Sequence, residues 1–238
     1  MLVFAHAFLG ALIGLGFWRV TRDRRALPLC IVSAILPDLL DKPLALLFYP
    51  LFGCGRTLGH TLLFFCIAAA LGLMIWRYRH TLLGMACACA IFSHQILDEM
   101  WYVPSTWYYP AMGPFPPSII SDYLMYSFWR EMTTLSEWVF AYALVVILAV
   151  WYMDIPEYRP FPARQWMIPV RYLAILLLGV TGIILLLSGT ELILAATVFA
   201  PTYAPVTCTM AGLVALGGTG VLLAWPEPVY RSRDPEHP

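Results

Sequence analysis

Charge is what this 238-residue sequence has least of: Asp, Glu, Lys and Arg make up 12% of it, against 61% hydrophobic residues and a mean hydropathy of +0.76. A soluble domain with that balance would precipitate, so the chain is expected to be an all-α, polytopic membrane protein. Net charge is missing as well. With 14 basic and 14 acidic side chains, nothing points to a nucleic-acid partner, and partners are sought in the bilayer. No CxxC pair and no disulfide framework are found among the six cysteines. Cys30, Cys66, Cys87, Cys89 and Cys208 lie in apolar stretches and are read as packing residues, while Cys54 stands in a Gly-rich connection. HExxH is lacking, which argues against an intramembrane metalloprotease, and so is any nucleotide-binding loop. The first apolar run lacks a basic leader; Arg19, Arg22, Arg24 and Arg25 follow it instead, so it is expected to be a retained span.

What is present is a succession of apolar runs. Spans are expected at roughly 1–18, 26–50, 58–76, 81–103, 135–153, 172–190 and 205–225, each near the ~20 residues a bilayer requires. Pro37 and Pro43 are expected to break the second. Segment 191–204 is apolar, but Pro201 and Pro205 limit it to a short helix or re-entrant piece, which leaves six or seven spans. Arg19, Arg22, Arg24, Arg25, Arg77, Arg79, Arg159, Arg164, Arg171, Arg231 and Arg233 fall on one side of this layout; Lys42, Arg56 and Arg130 fall on the other. That asymmetry places the N-terminus outside and the C-terminus in the cytoplasm of a multi-pass inner-membrane protein. The chain divides into a site-bearing core with its outer loop (1–134), further spans (135–226) and a polar tail (227–238). Between about Pro104 and Thr134 the aromatics Trp101, Tyr102, Trp107, Tyr108, Tyr109 and Phe115 suggest an interfacial belt on a Pro-stiffened loop, or a lid. Gly10 and Gly14, and the glycines at 217, 218 and 220, suggest close helix packing.

Ionisable groups at membrane depth cost a few kcal/mol each and need an explanation. At ~1.5 Å per residue from the arginine flanks, His6 and Asp38 lie about 20 Å up, His94 about 21 Å, His60 about 26 Å and Asp98 about 27 Å. All five fall in the outer third of a ~30 Å hydrocarbon core, whereas His80 sits in a cytoplasmic turn. His94 and Asp98, at i and i+4, share a helix face and could ligate a metal or simply bond each other. Asp38 and Asp41 lie in Pro37–Pro43, where irregular backbone would need a buried or wet setting; Asp41 could instead pair with Lys42 or cap a helix. Arg56 and His60 stand four residues apart at the start of the third span. The guanidinium fork and free helix-start N–H groups suit a phosphate, although Arg56 could also snorkel to headgroups.

His6, Leu36-Pro37-Asp38-Leu39-Leu40-Asp41-Lys42-Pro43, Gly55-Arg56-Thr57-Leu58-Gly59-His60-Thr61 and Ser93-His94-Gln95-Ile96-Leu97-Asp98-Glu99-Met100-Trp101 resemble, in order and spacing, the motifs of the YdjM-like family of membrane-bound metal-dependent hydrolases. The resemblance covers residues 1 to about 117. It departs from the common pattern at Gly59 and Thr61, where threonine and serine are frequent. More distantly the family is similar to zinc-dependent phospholipase C and its nuclease relatives, which cleave phosphoesters with zinc held by histidines and aspartates on helices. The resemblance implies that His6, Asp38, His60, His94 and Asp98 are metal ligands, with Asp41 and Arg56 in or beside the ligand shell.

The expected function is therefore hydrolysis of a phosphoester on a lipid or lipid-linked substrate at the outer interface. A divalent metal, zinc by its donor set, would acidify water and polarise the phosphoryl oxygen. Arg56 would hold the phosphate, and Asp41 or Glu99 would serve as base or orienter. Two other classes compete. A scaffold in which metal staples helices together would show a closed ligand set; a metal or proton transporter would need a path through both leaflets, and the inner halves of spans one to four carry no acidic or histidine steps.

Overall fold

The computed structural model describes residues 3–48, 55–116, 123–153, 163–190 and 204–225. Among the described residues all regular structure is helical: α1 (Val3–Thr21), α2 (Ala26–Leu47), α3 (Leu62–Arg79), α4 (Leu83–Leu97), α5 (Tyr123–Thr133), α6 (Leu135–Met153), α7 (Ala163–Gly189) and α8 (Pro205–Ala224). Single helical turns occur at Leu58–His60, Met100–Tyr102 and Pro104–Trp107. Among the described residues five helices, α1, α3, α6, α7 and α8, are long and apolar enough to cross a membrane. Helix α2 has the length but carries Asp38, Asp41 and Lys42. Helix α4 has 15 residues, so at 1.5 Å per residue it reaches roughly 22 Å, short of a ~30 Å core.

Helix α1 is the hub. It packs against α2 and α4 on one side and α6 and α8 on the other, while α3 lies at the edge, packed on α4 and otherwise largely exposed. Without a hydrophobic drive between helices in lipid, close approach depends on small residues. Gly10 and Gly14 supply it here: a Cβ on Gly10 would lie 2.6 Å from the Cys30 carbonyl oxygen, and one on Gly14 2.7 Å from Leu27 Cα. Gly72 and Gly84 do the same between α3 and α4. Of the three glycines near 218, only Gly218 is at a contact, under the Phe8 ring; Gly217 and Gly220 face open space. The main core runs through both halves, from Ala5, Phe8 and Leu97 to Phe140, Leu178 and Leu222.

Several expectations are corrected. Helix α2 is unbroken, with Pro37 and Pro43 inside it; a proline is tolerated in a membrane helix when neighbouring groups take up the backbone acceptors it frees. Helix α7 begins at Ala163 rather than near 172 and contains Pro169. The loop before Thr134 contains helix α5, which exposes Met125, Phe128 and Trp129 and buries Glu131. Its amphipathic pattern was obscured by the surrounding aromatics. Of the cysteines read as packing residues, Cys30 and Cys208 are buried, but Cys66 and Cys89 are exposed. Cys54, residues 117–122, segment 191–203 and the tail from 226 lie outside the described residues.

Candidate metal centre

The site forms where α1 begins, α2 ends, α3 begins and α4 ends. His6 comes from the second turn of α1, Asp38 and Asp41 from α2, Arg56 and His60 from the connection into α3, and His94 from the last turn of α4, with Asp98 as that helix's C-cap. His6, Asp38, Asp41, His60, His94 and Asp98 are all buried. The chain thus gathers residues distant in sequence to one level of the bundle.

Local structure explains how the connection fits. A Cβ on Gly59 would lie 2.9 Å from both Cα and the carbonyl oxygen of Pro37, so only glycine lets the Leu58–His60 turn rest on α2. Thr61 then caps α3, its hydroxyl accepting from Phe64 N at 3.0 Å. Asp41 ties the turn down. Its Oδ1 accepts from Gly59 N at 2.8 Å, and its Oδ2 accepts from Thr57 N at 2.6 Å and from His60 Nδ1 at 2.7 Å. These bonds use the helix-start N–H groups that the sequence suggested for an anion, and Asp41 takes them instead. Lys42 pairs with Asp38, Nζ to Oδ2 at 3.0 Å, and not with Asp41.

Both central histidines are oriented through Nδ1. His60 Nδ1 donates to the Asp41 carboxylate, and His94 Nδ1 donates to the Ala34 carbonyl at 2.7 Å. That carbonyl lies beside the turn that Pro37 opens by lacking an N–H. A carbonyl and a carboxylate only accept, so each ring keeps its Nδ1 proton and turns its Nε2 lone pair inward. Those two Nε2 atoms lie 3.1 Å apart. Two lone pairs at that distance repel unless a proton or a cation sits between them.

The surrounding donors fit a cation. Asp38 Oδ1 and Asp98 Oδ2 each lie 3.6 Å from His60 Nε2, Asp38 Oδ1 lies 4.0 Å from His94 Nε2, and His6 Nε2 lies 3.4 Å from Asp98 Oδ1. Two ligands about 2.1 Å from a tetrahedral zinc stand roughly 3.4 Å apart. Asp38 Oδ1 is buried and accepts no hydrogen bond from the described residues; a bare carboxylate oxygen in such a place is expensive unless it meets a cation. Two buried groups, His6–His94–Asp98 and Asp38–His60–His94, could each hold a metal ion, and they share His94.

The remaining candidates fall around this cluster. Arg56 approaches Asp98, Nη2 to Oδ2 at 2.9 Å. Glu99 adopts a left-handed backbone conformation, φ 54°, and its carboxylate accepts the Thr207 hydroxyl of α8, so it is turned from the histidines toward the last helix. Sequence reading passed over Gln95. Its amide donates to the Thr61 carbonyl at 2.8 Å and the Gly59 carbonyl at 3.3 Å, and accepts from Trp107 Nε1 at 3.2 Å, linking α4, the His60 turn and the outer segment. A buried amide between two candidate ligands was the available signal. Glu131 was also missed, and Glu137, legible only as lying near the outer end of a later span, had no role assigned: Glu131 Oε1 accepts from Val3 N at 2.6 Å, and Glu137 Oε2 accepts from Phe4 N at 2.9 Å. They hold the first turn of the helix that carries His6.

No curated protein and no solved structure matches the chain. A family model described as YdjM inner membrane protein matches residues 1–185, most of the chain, and the protein belongs to that family.

Proposed function

We propose that this protein is a membrane-embedded, metal-dependent phosphoester hydrolase acting on a lipid or lipid-linked substrate at the outer face of the inner membrane. The observation that carries the reading is the pair of inward-facing Nε2 atoms 3.1 Å apart, ringed by Asp38, Asp98 and His6. Mixed imidazole and carboxylate donors favour zinc. In this reading α2 also crosses the bilayer, as does α4 together with the turn at Met100–Tyr102 that extends it, giving seven spans with the N-terminus outside.

His6, Asp38, His60, His94 and Asp98 hold the metal. When bound, a divalent cation there supplies Lewis acidity, polarising a phosphoryl oxygen and making water acidic near neutral pH. Asp41 acts as a positioning residue, because both of its oxygens already accept hydrogen bonds and one of them fixes the His60 tautomer. Arg56, 31% exposed at its side chain, is placed to take a phosphoryl oxygen in a bidentate grip. Aromatic residues on the outer segment keep the substrate's chain in the membrane while its headgroup enters.

The test is metal analysis of the detergent-purified protein, with phosphate release from a panel of lipid phosphates measured with and without chelator. Stoichiometric zinc, lost in both His94→Ala and Asp38→Ala, and chelator-sensitive release are expected. Full metal occupancy in both variants would sink the site; zinc without release from any lipid would favour a metal-stapled scaffold.

A further inference from the structure

Access to the centre is lopsided. The side chains of His6, His60 and His94 are 0% exposed, and those of Asp38 and Asp98 are 5% and 3%. Lys42 and Arg56 are 24% and 31% exposed. Among the residues paired with the candidate ligands, these two cations are thus the ones that keep partly exposed side chains. Each is paired with one candidate ligand: Lys42 with Asp38 Oδ2 at 3.0 Å, and Arg56 with Asp98 Oδ2 at 2.9 Å. Both carboxylates come within 3.6 Å of the same His60 Nε2. The two cations thus flank one imidazole, each behind its own carboxylate.

We propose that Lys42 and Arg56 form a two-cation gate that selects a phosphate with three non-bridging oxygens, the phosphomonoester of a lipid, over a phosphodiester. This rests on the hydrolase reading above and adds a substrate class to it. A monoester offers one oxygen to Lys42, one to Arg56 and a third to the centre. A diester has only two to offer. Charge points the same way: Asp38, Asp41 and Asp98 against Lys42 and Arg56 leave one negative charge with neutral imidazoles, and a bound divalent cation makes the site positive by one, which favours a dianion over a monoanion. The reaction balances as monoester dianion plus water giving alcohol and hydrogen phosphate. The bond from phosphorus to the alcohol oxygen breaks, one from phosphorus to the water oxygen forms, and one water proton ends on the leaving alcohol.

Lys42 is the discriminating residue to test, because the hydrolase reading already gives Arg56 a hold on the phosphate, gives Lys42 none, and Lys42→Arg keeps the charge. The full-length, zinc-loaded protein in detergent is titrated calorimetrically with inorganic phosphate and with dimethyl phosphate. Turnover is followed with dioleoyl phosphatidate vesicles, with dioleoyl phosphatidylmethanol as the diester and glycerol 3-phosphate as the soluble monoester. Lys42→Gln is expected to weaken phosphate binding at least about tenfold and dimethyl phosphate binding less than about twofold, with zinc content unchanged and Lys42→Arg restoring most of the loss. In turnover, KM for phosphatidate rises while kcat changes less. Equal phosphate affinity in Lys42→Gln and the parent, or equal losses for both anions, would overturn the gate. Phosphate binding that behaves as expected with no ester hydrolysed would leave the gate standing and remove the hydrolase reading; phosphatidate turnover untouched by Lys42→Gln would do the reverse. Faster cleavage of glycerol 3-phosphate than of phosphatidate would overturn the lipid as the source of the monoester.

Discussion

Between α1 and α4 the buried polar residues include His6, Asp38, Asp41, His60, His94, Gln95 and Asp98; between α6 and α8 they include Ser136, Glu137, Thr181 and Ser188. In the first region these groups bond across helices, as Gln95 does to the His60 turn and His94 does to α2. Hydroxyls in the second mostly turn back on their own helix: Ser188 donates to Ile184 O, Thr209 to Pro205 O and Thr219 to Ala215 O. Helices α7 and α8 instead meet through small residues, with Gly182 and Gly212 each close to the other's carbonyl. One region spends burial on polar cross-links at a single level, and the other on backbone proximity along its length. That difference marks where chemistry is expected, because a bilayer removes polar groups that have no partner or purpose.

The largest break in this contrast, after loss of a ligand itself, is expected from Asp41→Asn. The carboxylate accepts from three donors at once. An amide has one accepting oxygen, and its NH2 would face donors. His60 then keeps at best a neutral acceptor shared with the Thr57 amide, the Gly59 amide loses its own, and metal affinity should fall about 10–100-fold while the helices stay folded. Competition with a chromophoric zinc chelator measures it; an unchanged affinity would show that Asp41 supports the turn and not the imidazole.

Glu137 is where the second region reaches into the first, and its removal should have an intermediate effect. Glu137→Ala leaves Phe4 N and Ala5 N, which the carboxylate holds at 2.9 and 3.4 Å, without their acceptor. Buried donors left unsatisfied cost about 1–3 kcal/mol, so thermal unfolding in detergent should come earlier, and zinc should bind a few-fold more weakly through a looser His6. Glu137→Gln retains one accepting oxygen and should lose less. Equal losses in both variants would trace the effect to charge.

Much of this architecture was legible in the sequence. Counting rise per residue from the arginine flanks put His6, Asp38, His60, His94 and Asp98 at one depth, and the structure brings the same five side chains together. Depth is a one-dimensional property, carried by helix rise and charge asymmetry. What the count could not supply was azimuth. It could not show that Lys42 faces Asp38, that Asp41 faces back to the Thr57 and Gly59 amides, or that Glu99 swings to α8 through a left-handed residue. Pro37 misled for a related reason: read alone it breaks a helix, whereas here it removes the donor of a single carbonyl, that of Ser33, and α2 runs on through it to Leu47.

The smallest effect expected comes from two neighbouring glycines of α8. An added methyl on Gly218 meets the rigid Phe8 ring and lies 3.4 Å from Leu178 Cδ1, while one on Gly217 meets nothing within 4 Å. Gly218→Ala should therefore destabilise by about 1–3 kcal/mol, the usual cost of overpacking. Gly217→Ala should stay within about 0.5 kcal/mol of the parent, and a slight gain is consistent with alanine's better helix propensity. Zinc binding should be untouched in Gly217→Ala, because an added methyl there meets open space. Thermal melts and zinc titrations of the two variants side by side give the comparison its finest grain. A shift in zinc affinity from Gly217→Ala would mean that the last helix influences the centre by a route other than its contacts at Phe8 and Glu99.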